Sequence, residues 1–127
     1  MFENADLIHR YSRADALRDG VLIDVSATAK EAGFRFPVAL TASAWVKCVL
    51  VPSDVCCQDE AGRLWDVLTM LRHAIGGQDR GACEVRFGVH VRNDNCCGTP
   101  SLVRLKALCG PGDQGEPVLT VMLPEED

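Results

Sequence analysis

Residues 83–121, CEVRFGVHVRNDNCCGTPSLVRLKALCGPGDQGEPVLTV, alternate apolar and polar side chains on both sides of a turn-rich linker. A period of two is the signature of a strand with one buried face. The pattern predicts strands near 83–92, 101–109 and 117–123, with NDNCCGTP and GPGDQGEP as the turns. In the first strand Cys83, Val85, Phe87, Val89 and Val91 share a face, leaving Glu84, Arg86, Gly88, His90 and Arg92 on the other. In the second, Val103, Leu105, Ala107 and Cys109 lie opposite Leu102, Arg104, Lys106 and Leu108. The apolar set calls for a helix to cover it, and the other face is expected to carry Arg86, His90, Arg92, Arg104 and Lys106 into solvent.

That helix is found upstream. In QDEAGRLWDVLTMLRHAIGG, Leu64, Val67, Leu68, Leu71 and Ile75 recur at helical spacing, with Trp65 and Met70 widening the stripe. Asp59 and Glu60 suit the positive end of the helix dipole, and Gly76 and Gly77 stop it. Ser12 with Asp15 three residues later forms a capping box for a short helix over 13–19, ended by Gly20. VLIDV at 21–25 reads as a buried strand, Ser26 as the cap of a second short helix ended by Gly33, and Thr41 or Ser43 as the cap of a third, reaching about Leu50 before Pro52. FRFPVALTASAWVKCVLV is ambiguous between helix and strand.

The expected fold class is therefore α+β: a single domain over 1–127, with a helical N-terminal part (1–77) and a C-terminal three-stranded antiparallel meander (83–123) packed against helices. The 127 residues, 47 % of them hydrophobic, suffice for one core. No apolar run approaches the roughly 20 residues that cross a bilayer, and MFENADLIHRYSRAD lacks the order of a signal peptide, so a cytoplasmic, non-membrane protein is expected.

The net charge of −5 is unevenly spread. Residues 1–82 contribute −2, residues 83–109 +2 and residues 110–127 −5. The basic sheet face and the acidic tail, with Glu116, Glu125, Glu126 and Asp127, are thus two alternative binding surfaces. The face suits an acidic protein patch or nucleic-acid phosphate; the tail suits a basic groove. Base reading on a sheet calls for outward aromatics, and only His90 stands there.

Chemistry leaves few traces. There is no GxGxxG, P-loop, GxSxG or HExxH, and CGPGDQGEP lies between strands, without the helix that would hold a phosphate. His9, His73 and His90 are scattered. The seven cysteines, an odd number, include the adjacent pairs Cys56–Cys57 and Cys96–Cys97, which lack the spacer that lets two thiolates grip one zinc. Reduced thiols, no catalytic residue, no metal and no cofactor are expected, with a small Cys/His enzyme as a rival reading.

Three strings, YSRADALRDGVLIDVSATAKEAGFRFPVALTASAW, QDEAGRLWDVL and LVRLKALCGPGDQGEPVLTVMLPEED, resemble domain-of-unknown-function family 6573. The resemblance implies an accessory protein of bacterial plasmids, integrative elements and phages. Its implied role is non-enzymatic binding to a host protein or nucleoprotein complex, as in counter-defence of the anti-CRISPR kind. A nucleic-acid-binding regulator that uses the basic face is the alternative.

Overall fold

A computed structural model of the chain describes residues 12–53, 59–77, 83–91 and 101–126. Its helices are α1 (Arg13–Arg18), α2 (Ser26–Glu31), α3 (Ala42–Cys48) and α4 (Glu60–Gly76); its strands are β1 (Leu22–Asp24), β2 (Val38–Thr41), β3 (Glu84–Val91), β4 (Ser101–Pro111) and β5 (Pro117–Met122).

The five strands among the described residues form one sheet in the order β1-β2-β5-β4-β3. The class is α+β, but the expected C-terminal three-stranded antiparallel meander is corrected to a five-stranded mixed sheet. β3, β4 and β5 do pair antiparallel in sequence, yet β5 is not an edge. It pairs parallel to β2, Val38 opposite Leu119 and Leu40 opposite Val121, and β2 in turn pairs antiparallel with β1. The physical reason lies in PVLTVM, where Val118, Leu119, Val121 and Met122 are all buried. An edge strand of a one-sided meander would bury only every second residue.

One face of the sheet carries the main core. Val38, Leu40, Leu119, Val121, Leu105, Ala107, Phe87 and Val89 meet Leu64, Val67, Leu68 and Leu71 of α4, Ala44 and Cys48 of α3 and Ala29 of α2. The second face is partly covered by α1, whose Arg13 donates to Thr120 Oγ1 (2.7 Å) and to the Leu119 carbonyl (3.1 Å). VLID is accordingly no buried strand; β1 is a half-buried edge.

Local signals account for most helix starts. Ser12 and Asp15 close the capping box of α1, Thr41 accepts from Ala44 N–H at the start of α3, and Asp59 accepts from Gly62 N–H at the start of α4. Ser26 departs from expectation. It is the first residue of α2, and its hydroxyl bonds Asp24 and takes the N–H of Val38, tying the helix to β2.

α4 also fastens its neighbours through two arginines. Arg63, only 7 % exposed, donates from Nε to the Cys48 carbonyl and from Nη1 to that of Leu50, both at 3.1 Å. Arg72 donates to the Ala32 carbonyl at 3.0 Å. These carbonyls belong to the C-terminal ends of α3 and α2, where helices leave acceptors unsatisfied and favour positive charge. Nine positions apart, the two arginines leave α4 on opposite flanks. Gly33 serves the second contact: its φ of +101° suits glycine, and a Cβ there would lie 2.8 Å from the Arg72 guanidinium.

Removing Arg63 leaves the buried Cys48 carbonyl and the part-buried Leu50 carbonyl without their guanidinium partner. Arg63→Ala is expected to lower unfolding free energy by about 2–4 kcal/mol, and Arg63→Lys to recover only part of it, because an ammonium lacks the fork. Urea denaturation of the three proteins measures both.

Candidate binding face

β3 and β4 pair without interruption from Glu84 opposite Leu108 to Val91 opposite Ser101. Strand alternation sends Val85, Phe87, Val89, Val103, Leu105 and Ala107 into the core. On the second face, Arg86, His90 and Arg104 are exposed, as expected. The register sets Arg104 opposite Gly88 and Leu102 opposite His90, so Arg86 and Arg104 are diagonal neighbours. Leu102, 50 % exposed, sits among them and leans over Gly88, where a Cβ would lie 2.9 Å from its Cδ1.

Two expected features of this face differ. Lys106 is only 7 % exposed, although alternation places it on this face. β4 is an interior strand, and Lys106 lies between Arg86 of β3 and the buried Met122 of β5. Arg86 is locally neutralised, its Nε 2.8 Å from Glu84 Oε2. Both partners are exposed, so the pair adds at most about 1 kcal/mol and opens readily to a competing anion. Arg104 makes no ion pair among the described residues. Arg92 lies outside them.

The acidic tail is largely engaged internally. Glu126 accepts from Thr41 Oγ1 (2.9 Å) and from Leu123 N–H (3.0 Å), folding the end of the chain back on the β2–α3 junction. Glu116 accepts from Gln114 N–H (2.9 Å) within the β4–β5 turn. Asp113 of the same turn takes the N–H groups of Arg13 and Ala14 at 2.8 and 2.9 Å, anchoring the start of α1. Glu125 is exposed, and Asp127 lies outside the described residues.

A family model described as a family of unknown function (DUF6573) matches residues 1–127. The chain belongs to that family. No curated protein and no solved structure matches it.

In this DUF6573 protein no described helix is long and apolar enough to cross a membrane. Among the described residues, no three His, Cys, Asp or Glu side chains come together as a metal site. Cys48 is buried in the core, Cys83 is exposed and Cys109 is intermediate; the pairs Cys56–Cys57 and Cys96–Cys97 and His9 lie outside the described residues. Burial pushes the Cys48 thiol up to about 11, against the nearby charges of Arg63 and Lys47. A thiol held protonated is a poor nucleophile.

Two grooves had no signal in the sequence. One, about 580 Å³, runs between α1 and the second sheet face, past Arg13, Thr41, Thr120, Met122 and Glu126. The other, about 520 Å³, lies beside α4 along Trp65, Thr69, Arg72 and His73. Trp65 and Met70, expected at the core or its edge, are 43 % and 42 % exposed, while the charged Arg63 is buried. The sequence signal that finds Arg63 is its place one step before Leu64 on the apolar side of α4; its carbonyl partners have none.

The thiol environments are tested by alkylation of the folded protein: Cys83 is expected to react and Cys48 to stay unlabelled by mass spectrometry. Because the raised value favours the neutral thiol of the folded state, the Cys48 contribution to stability is intact below about 9 and lost as pH rises toward 11. Cys48→Ala should show a shallower decline than wild type over that range.

Proposed function

We propose that this protein works by binding a macromolecular partner through the second sheet face at the β3–β4 margin, without catalysis. The observation that carries the reading is Arg104. It is an exposed guanidinium with no ion pair among the described residues, beside the half-exposed Leu102 and the weakly held Arg86. An apolar anchor ringed by arginines suits an acidic protein surface, since arginine is enriched where interfaces concentrate their energy. His90 completes the patch, and Lys106, being buried, is left out of it.

The partner proposed is an acidic protein or nucleoprotein complex of a host cell, met in the cytoplasm. The role is that of an accessory factor of a mobile genetic element, in counter-defence of the anti-CRISPR kind. The resemblance of the three quoted strings supports this finer reading. Phosphate contact by a nucleic-acid-binding regulator draws on the same arginines, but among the described residues of the face only His90 offers a ring for stacking. The acidic tail is the weaker surface, because Glu116 and Glu126 already serve turn and tail contacts.

The test is an affinity pull-down from bacterial lysate with tagged wild type and tagged Arg104→Glu, each with and without nuclease. A protein complex that survives nuclease and binds Arg104→Glu at least roughly tenfold more weakly is the expected result. Recovery of nuclease-sensitive nucleic acid alone transfers the face to phosphate binding, and undiminished capture by Arg104→Glu removes the face from the reading.

A further inference from the structure

Two cysteines face each other across the end of the β3–β4 ladder. The register that sets Glu84 opposite Leu108 continues by one residue, and Cys109 N–H donates to the Cys83 carbonyl at 2.8 Å, so Cys83 and Cys109 are directly opposed. Opposed residues of a ladder point to the same side of the sheet. Here that is the core side, where Cys109 packs half-buried against the core while Cys83, one residue before β3, is exposed. Both are thiols in this structure.

The spacing of such a pair brings a sulfur–sulfur bond within reach. A hydrogen-bonded antiparallel pair holds its Cα atoms about 5.5 Å apart, inside the window of about 4.4–6.8 Å that a disulfide spans. Its Cβ atoms stand about 4.5–5.5 Å apart, whereas a relaxed disulfide holds them at about 3.5–4.5 Å. The two residues must therefore close by about 1 Å, and the end of a ladder opens and shifts more easily than its middle. A bond made against that strain is more easily reduced, and strained or exposed disulfides are the labile, regulatory kind.

We propose that Cys83 and Cys109 form a reversible cross-strand disulfide by exchange with a low-molecular-weight disulfide of the glutathione class. The exposed Cys83 thiolate attacks one sulfur of oxidised glutathione, forming a mixed disulfide and releasing one glutathione thiol. The Cys109 thiolate then attacks the Cys83 sulfur, which releases the second. The two protein sulfurs lose two electrons and two protons, and the two released thiols carry both. The bond clamps β3 to β4 at the base of their hairpin. It does not rest on the partner-binding reading, because the thiols lie on the core side and Arg86, Leu102 and Arg104 on the other face.

The test incubates the full chain in glutathione buffers of increasing oxidised fraction, blocks the remaining thiols and maps unreduced tryptic peptides by mass spectrometry. Trypsin cuts after Arg80, Arg86 and Lys106, so residues 81–86 and 107–127 each carry one cysteine and their linked product identifies the bond. That product is expected to accumulate with the oxidised fraction in protein that remains monomeric on a non-reducing gel, and to disappear in excess reduced glutathione. Changing Cys56, Cys57, Cys96 and Cys97 together to serine is expected to leave its yield unchanged, and Cys109→Ser to abolish it. Glutathione retained on Cys83 beside a reduced Cys109, Cys83 linked to another cysteine, or a link confined to dimers would each overturn the proposal. So would a bond that excess reduced glutathione fails to open. The wild-type chain alone decides these outcomes, so a variant that fails to fold leaves the test intact.

Discussion

The parallel pairing of β5 with β2 is the constraint on which the rest of the molecule depends. It joins residues about eighty positions apart in the chain, Val38 to Leu119 and Leu40 to Val121, and turns a terminal strand into an interior one. Leu119 N–H also donates to the Pro37 carbonyl, extending the junction by one residue. Around it the core closes on one side, and on the other Arg13 reaches Leu119 and Thr120 to hold α1. The chain leaving β5 then delivers Glu126 to Thr41 at the end of β2. A non-local contact of this kind incurs the entropy of closing a long loop before its burial is gained. It is stable here because β2 and β5 are both apolar on two faces.

Polar groups inside the fold are used to finish helices. Arg63 and Arg72 satisfy the last carbonyls of α3 and α2, and Asp113 satisfies the first N–H groups of α1 from a hairpin far along the chain. Among the described residues no buried side-chain nitrogen or oxygen lacks a hydrogen-bond partner. Burial pushes the Arg63 and Arg13 guanidinium groups down from their ordinary value, but arginine remains charged in proteins and so holds its carbonyls throughout. These short helices, six or seven residues each, are below the length that is stable alone. Tertiary caps hold them in place of length.

With many charged side chains fixed internally, the exposed arginines of the sheet, Arg86 and Arg104, lie at the β3–β4 margin. Position in the sheet decides it. Arg86, on the edge strand, and Arg104, opposite Gly88, stay open to solvent; Lys106, two residues along β4 and beside Met122, does not.

The sequence by itself determined the local elements: the capping box of Ser12 and Asp15, a cap at Thr41 or Ser43, the acidic start of helix α4 at Asp59, α4 itself, the strands of the last third and the alternation that turned Arg86, His90 and Arg104 outward. Each is set by residues within one or two turns of one another, through propensity, capping and periodicity. Only the tertiary structure decided the fold they make. VALT, inside a stretch ambiguous between helix and strand, became the strand that receives β5, and VLID, read as buried, became a half-buried edge. It likewise decided that Lys106 is buried and that Arg63 is a cap, because burial of a charged side chain depends on which distant surface covers it and which carbonyls await it. Those partners come from pairings across the chain, and such pairings leave no local pattern to read.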